Sequence, residues 1–363
     1  MKKLWIVISV LVLVIAGFLY SKTWNTQEMV DPKGEVAIVE KPYDKYSFER
    51  LVSRVDKASV IELGEEIATT PEYSSYIFYY SSEGRRISGQ LNLPNLSRLM
   101  GVIVMARGYV EKDGYTTGTG TRNAAAVYAK NGYITIAPDF SGYGQSDPED
   151  PNALGARLVK PVEMLDLIAS LSSLPQVDLT RVYLWGHSNG GQIMLSVAEV
   201  LGQRLKIKGS SGQVGVLGAT LWAPVSKPFP YNILFYTDEA DDQGKWLRSE
   251  IAKFEADYDV YKYSIDRHLD WIQIPLVVHQ GTVDDAVPVE WSRELETRLK
   301  EQNKSYTYYE YPGADHNMRL QPTAAPAYNA ERSTVGRQSG GQATWNTVVG
   351  RDVEWFNSVA TQD

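Results

Sequence analysis

Residues 184–195 read "LWGHSNGGQIML": an apolar strand ends, without pause, in a serine bracketed by Gly186 and Gly190, and a helical pattern follows. A chain that turns sharply from strand to helix brings neighbouring side chains into collision. Small residues two before and two after the turn make room for it. Such a turn pushes the hydroxyl of Ser188 out of the sheet top. The amide N–H of Asn189, opening the helix, is aimed at the same point and brings a favourable helix dipole with it. The two glycines are therefore read as a means of exposing one serine.

Working outward, the flanking sequence is regular from residue 71 onward. "SSYIFYYSS" and "RISGQLNLP" are aromatic and β-branched runs separated by Glu83 and Gly84, the pattern of a hairpin. Strands "GVIVMARG", "YITIAPDF", "RVYLWGHS", "VLGATLWAP", "IPLVVHQG" and "SYTYYEYPG" then alternate with helical segments. Continuous apolar strands between helices predict an α/β architecture. The expected core is a mostly parallel, eight-stranded mixed sheet covered by helices on both faces. Ligands bind such sheets at the carboxyl ends of the strands, so the residues just past each strand carry the chemistry.

The rest of the chain is organised around that core. Lys2 and Lys3 precede "LWIVISVLVLVIAGFLY", an apolar run from Leu4 to Tyr20 that is just long enough to cross a hydrocarbon core. Residues 1–22 are expected to be a membrane anchor or a signal peptide. The positive flank would stay cytoplasmic, leaving the remainder outside the membrane as an anchored domain, or as a secreted one if the segment is cleaved. Residues 23–70 are polar, with one amphipathic stretch, "YSFERLVSRV", and are read as a tether and packing segment. Residues 71–363 form the catalytic domain, with a lid insertion at about 226–269 rich in aromatic and acidic residues.

Composition narrows the chemistry. The formal net charge of −8 and the pI near 5.2 argue against nucleic acid, which needs clustered Lys and Arg. There is no cysteine, so disulfides, thiolate metal sites and Cys nucleophiles are excluded. The histidines are His187, His268, His279 and His316, and no pair of them has metal-ligand spacing. Neither a metal nor another cofactor is expected.

A serine hydroxyl needs a base to take its proton and a carboxylate to orient that base. In this topology those partners follow in the order serine, acid, histidine. "HQGTVDDAVPVEWS" places Asp284 in the loop after the next-to-last strand, and "YPGADHNM" places His316 in the loop after the last one. His187 is expected to pack against the sheet flank, His268 lies at the wrong end of a strand, and His279 lies within one. Asp285 would face differently from Asp284, and Asp315 is too close to His316 in the chain to reach its ring. A second oxyanion donor is expected from the backbone N–H of Tyr109, in the loop after "GVIVMA". Arg107 and Trp222 are expected at the substrate, and Phe229, Tyr231, Phe235 and Tyr236 of the insertion could line an apolar pocket.

Three stretches carry a family resemblance: "NGYITIAPDFSGYGQSD", "DLTRVYLWGHSNGGQ" and "IPLVVHQGTVDDAVPVEWSREL". From about Tyr73 to Ala360 the chain resembles the α/β-hydrolase fold, and within it the prolyl oligopeptidase-like (S9-type) serine hydrolase domain. The resemblance implies a triad on Ser188, Asp284 and His316. Arg107-Gly108 stands where that family usually has His-Gly, and Gln280 interrupts a second such pair. The expected activity is hydrolysis of carboxylic esters through an acyl-enzyme. The alternative is a serine peptidase acting on short peptides, for which Asp238, Glu239, Asp241 and Asp242 would have to supply carboxylates for an α-amino group. A binding module without turnover is the remaining reading.

Overall fold

The computed structural model describes residues 41–96, 99–208, 214–237, 241–320 and 341–360. The apolar run Leu4–Tyr20, and with it the expected anchor or signal, lies outside them. Among the described residues no helix is long and apolar enough to cross a membrane. Lys45–Asp363 form one compact unit. In Met1–Asp44 the described part is a turn, in which the Lys41 N–H donates to Asp44 Oδ2 at 2.7 Å.

The strands are β1 (Glu62–Thr69), β2 (Tyr73–Ser82), β3 (Arg85–Pro94), β4 (Gly101–Ala106), β5 (Tyr133–Pro138), β6 (Val182–His187), β7 (Val216–Trp222), β8 (Leu276–Gly281) and β9 (Tyr306–Tyr311). The α-helices are α1 (Phe48–Ser53), α2 (Arg122–Lys130), α3 (Ala153–Leu158), α4 (Lys160–Ser170), α5 (Asn189–Lys208), α6 (Tyr231–Leu234), α7 (Lys245–Asp257), α8 (Val289–Glu301) and α9 (Gly341–Val359). One sheet holds all nine strands in the order β1-β2-β3-β5-β4-β6-β7-β8-β9. Strands β4 to β9 are mutually parallel, and β1, β2 and β3 join through antiparallel pairings. The chain crosses in opposite directions from β4, to β5 on one side and β6 on the other. That reversal opens a crevice at the carboxyl ends of β4 and β6.

The predicted sheet had eight strands, and the ninth is β1. All eight residues of this edge strand are exposed, and its register with β2 shifts twice. A strand open to water on both faces, reading "ELGEEIAT", has no apolar alternation for a sequence pattern to register. The β2–β3 hairpin turns on Glu83 and Gly84, both at positive φ (48° and 76°), as a tight two-residue connection demands.

Parallel strands buried on both faces need apolar residues throughout, and β4, β5 and β8 are buried at every position. On one face Tyr133 and Tyr183 meet Phe356 of α9, whose ring also contacts Tyr128 of α2. Residues 48–61 are bound into the unit by charge. Asp166 of α4, with its side chain wholly buried, accepts a bidentate pair from Arg54 (2.7 and 2.8 Å), the Lys57 N–H (2.7 Å) and the Ser82 hydroxyl (2.7 Å). From α5, Arg204 closes the end of α1 by donating to the carbonyls of Leu51 (2.6 Å) and Val52 (3.2 Å). Replacing Asp166 with alanine removes the bidentate partner of the largely buried Arg54 guanidinium, leaving it Asp56 (3.0 Å) and Glu83 (3.3 Å), and also unpairs the Lys57 N–H and the Ser82 hydroxyl. Asp166→Ala is expected to lower the free energy of unfolding by ~3 kcal/mol, read from the urea midpoint; an unchanged midpoint would show that this carboxylate does not hold the segment.

Candidate active site

The turn after β6 is built by backbone contact. A Cβ on Gly186 would fall 2.5 Å from the Gly190 carbonyl oxygen, and one on Gly190 would fall 2.0 Å from the Ala106 carbonyl oxygen. Neither position tolerates a side chain. Between them Ser188 sits at φ +58°, a left-handed conformation that a non-glycine residue adopts only when its surroundings impose it. Its N–H donates to Trp222 O (2.9 Å), and its carbonyl accepts from Gly191 (2.9 Å) and Val225 (3.0 Å). The serine is therefore fixed from both sides by the end of β7 and the loop after it.

Asp284 and His316 are brought together directly, with His316 Nδ1 2.9 Å from Asp284 Oδ2. The Asp284 side chain is fully buried. Its Oδ1 accepts the N–H groups of Ala286 (2.9 Å) and Val287 (2.8 Å), and its Oδ2 also accepts Gln280 Nε2 (2.9 Å). A carboxylate so placed is satisfied as an anion and holds the imidazole with its Nδ1 as donor. That tautomer leaves the Nε2 lone pair free to act as a base. Asp285 is exposed. Asp315 accepts the N–H groups of Asn317 and Arg319 (2.9 Å each) and so shapes the turn that presents His316.

No hydrogen bond joins Ser188 Oγ to His316; the contact with the histidine loop is made by the residue before the serine. His187, expected to pack on the sheet flank, donates Nε2–H to the His316 carbonyl at 2.9 Å, and its ring lies 4.6 Å from the His316 ring. Sequence reasoning missed this role, and it missed Gln280 as well. Gln280 appeared only as a break in a family pattern, yet it is fully buried and links Asp284 to the Ser292 hydroxyl of α8 (2.7 Å). The other two histidines lie elsewhere. His279 is buried between Tyr311 Oη (2.8 Å) and Asp352 Oδ1 (2.9 Å), and His268 packs between Phe48 and Trp271.

On the β4 side, Gly108 packs so closely that a Cβ there would lie 2.9 Å from Ser188 Cβ. The backbone of Tyr109 follows immediately, while its ring is exposed and hydrogen-bonds Glu111. Asn189, the other expected donor, is the first residue of α5. Arg107 requires a correction. Expected at the substrate, it is only 3% exposed and donates to Gly108 O (2.9 Å) and Asp139 O (2.8 Å), its guanidinium 4.0 Å above the Tyr143 ring. The cation is thus internal, and it shapes the Gly108 turn. Asp139 binds the same loop through Tyr115 (2.7 Å) and Thr117 (2.8 Å).

Trp222 is buried, donates Nε1–H to Asp352 (2.8 Å), and forms part of the wall of a cavity of about 270 Å³ beside His187. Within the insertion, Phe229 belongs to an internal cluster with Phe254 and Tyr263. Tyr231, Phe235 and Tyr236 surround Trp291, and the Tyr236 hydroxyl reaches Ala286 O in the acid loop (3.1 Å). Among the described residues no group of three His, Asp or Glu side chains could hold a metal ion.

A family model described as the prolyl oligopeptidase family matches residues 120–333, more than half of the chain. The chain belongs to the prolyl oligopeptidase family. It is a serine hydrolase with the fold of that family and of its α/β-hydrolase neighbours. The acetyl xylan esterase 1 of a Thermoanaerobacterium species is similar in structure, with a TM-score of 0.53 and 18% identity over 76% of this chain and 88% of that one. An acetyl xylan esterase from a Paenibacillus species matches with a TM-score of 0.54 and 15% identity, over 74% of this chain and 86% of that one. A puromycin-hydrolyzing peptidase of Mycobacterium tuberculosis gives 0.54 and 14% identity over 85% of this chain, but only 47% of that one. No match is found among curated protein sequences.

Within this member of the family, burial first and then the adjacent His316 push the His187 imidazole down to about 4. Folded His187 is therefore neutral at pH values where the unfolded chain, titrating near 6.5, takes up a proton. Its contribution is complete above pH 6.5 and is lost as pH falls toward 4, at ~1.4 kcal/mol per pH unit. Urea unfolding at pH 7 and pH 5 is expected to show His187→Gln losing less stability than the parent over that interval. Equal losses would mean that His187 is protonated in the fold.

Proposed function

We propose that the chain hydrolyses carboxylic esters through an acyl-enzyme on Ser188. His316 Nε2 takes the hydroxyl proton as Ser188 Oγ bonds to the ester carbonyl carbon, and Asp284 stabilises the imidazolium that results. The backbone N–H groups of Asn189 and Tyr109 hold the developing oxyanion, each worth ~3 kcal/mol to such a transition state. Collapse breaks the C–O bond to the alcohol, which leaves with the proton from His316. Water, deprotonated by the same imidazole, then cleaves the acyl-enzyme to the acid and restores the serine.

The observation that carries this reading is the buried Asp284 carboxylate, with its four donors, bonded to His316, whose carbonyl is held by His187, the chain neighbour of a serine at positive φ. The choice of ester rests on a second observation. An amino-terminal peptide group would need free carboxylates; Asp242 accepts the N–H groups of Gly244 and Trp246 (2.8 Å each) at the start of α7, which leaves the exposed Asp241 as the one described candidate for that role. Asp238 and Glu239 lie outside the described residues. The span of the match to both acetyl xylan esterases, most of each chain, supports the same choice. Family membership favours the second reading, a peptidase acting on short peptides. In either case the insertion at 226–269 serves as a lid, tied to the acid loop through Tyr236.

The discriminating experiment is a panel of 4-nitrophenyl esters of rising chain length beside aminoacyl and dipeptidyl arylamides. Turnover of the esters alone, falling at least ~10³-fold in Ser188→Ala, is expected; cleavage of the arylamides would replace the esterase reading with the peptidase one. The apolar run Leu4–Tyr20 is proposed to tether the unit outside the membrane. Recovery of the full chain in the soluble fraction, like a chain starting at residue 32, would contradict that.

A further inference from the structure

The 270 Å³ cavity takes no part in the acyl chemistry above. It begins at His187 and Asn317, the chain neighbours of Ser188 and His316, and its walls divide by chemistry. Trp185, Trp222 and Trp345 supply flat apolar surface, while Arg122 and Arg319 supply positive charge. Neither guanidinium is neutralised among the described residues. Arg122 donates to Thr116 Oγ1 (3.1 Å) and Thr117 O (2.7 Å), both uncharged, and the Arg319 side chain makes no hydrogen bond or ion pair there. The same wall includes Trp185, whose indole Nε1 is buried and faces the Tyr128 hydroxyl. Helix α2 begins here, with no side-chain cap from Thr121, and turns its positive end toward the site. In a chain of net charge −8, two guanidinium groups without a carboxylate partner among the described residues, lining one recess with a helix N-terminus, describe a complement to an anion.

We propose that this cavity binds a carboxylate carried by the substrate on a flat, aromatic or unsaturated body. The ring lies against the tryptophans, and the anion is gripped by Arg319 and Arg122. The substrate class is then an ester that keeps a free carboxylate beyond the bond that is cut, and that assignment of the bond rests on the esterase reading. Occupancy of the cavity does not rest on it.

The test is calorimetric titration of the whole protein with benzoate and with its neutral isostere benzamide, followed by competition of benzoate against fluorophosphonate labelling. Benzoate is expected to bind at least ~10-fold more tightly than benzamide, and to slow labelling. Arg319→Gln and Arg122→Gln are each expected to weaken benzoate at least ~5-fold while leaving benzamide unchanged. Benzoate binding no tighter than benzamide, or unaltered in both variants, overturns the proposal. Benzoate binding with these dependences in a protein that cleaves no ester would leave the anion pocket standing and remove the esterase reading alone.

Discussion

Backbone lies against backbone where the helix after Ser188 crosses the end of β4, and the site depends on that approach. With no room for a Cβ at Gly186 or Gly190, the first turn of α5 settles between the ends of β4 and β6. Two consequences follow from one contact. Ser188 is held at positive φ, and Gly108, the residue before Tyr109, lies directly against it. Close packing without side chains does here what a hydrogen-bond network does elsewhere: it leaves the backbone one arrangement.

Charge supplies the second constraint. Asp284 is taken wholly out of water, which is tolerable because every oxygen lone pair of consequence has a donor. Gln280 makes this possible. Its amide nitrogen holds Asp284, and its oxygen is in turn held by Ser292, so the orientation of the acid is fixed from β8 and α8 together. His187 performs a related service for His316 by bonding its carbonyl. The buried Arg107 fixes the opposite lip through Gly108 O and Asp139 O. The three loops are thus each stiffened by a polar side chain at, or one residue either side of, the end of a strand.

Much of this was legible in the sequence, for reasons that differ residue by residue. The parallel strands announce themselves as continuous apolar runs because both of their faces are covered. Ser188 stands out because its turn demands glycine, and Asp284 and His316 because topology orders the loops. Edge strand β1 was illegible, since full exposure removes the alternation that marks a strand. Arg107 misled because position in the chain places a residue at a strand end without saying which way its side chain turns; it turned inward onto Tyr143 and Asp139 O. His187 misled for the same reason, and its contact with a carbonyl 129 residues away has no local signature. The cavity, too, gathers residues from β6, β7, α2, α9 and the histidine loop, so no stretch of sequence carries it.

The central claim of the proposed mechanism is that the reactivity of Ser188 belongs to the Ser188–His316–Asp284 arrangement and not to the turn alone. Peptide mapping by mass spectrometry after reaction with a fluorophosphonate tests it most directly, run on the parent and on His316→Gln. The account predicts a single adduct on Ser188 in the parent, and a labelling rate at least ~10³-fold lower in the variant. An adduct on another residue, or undiminished labelling of Ser188 without His316, would contradict it.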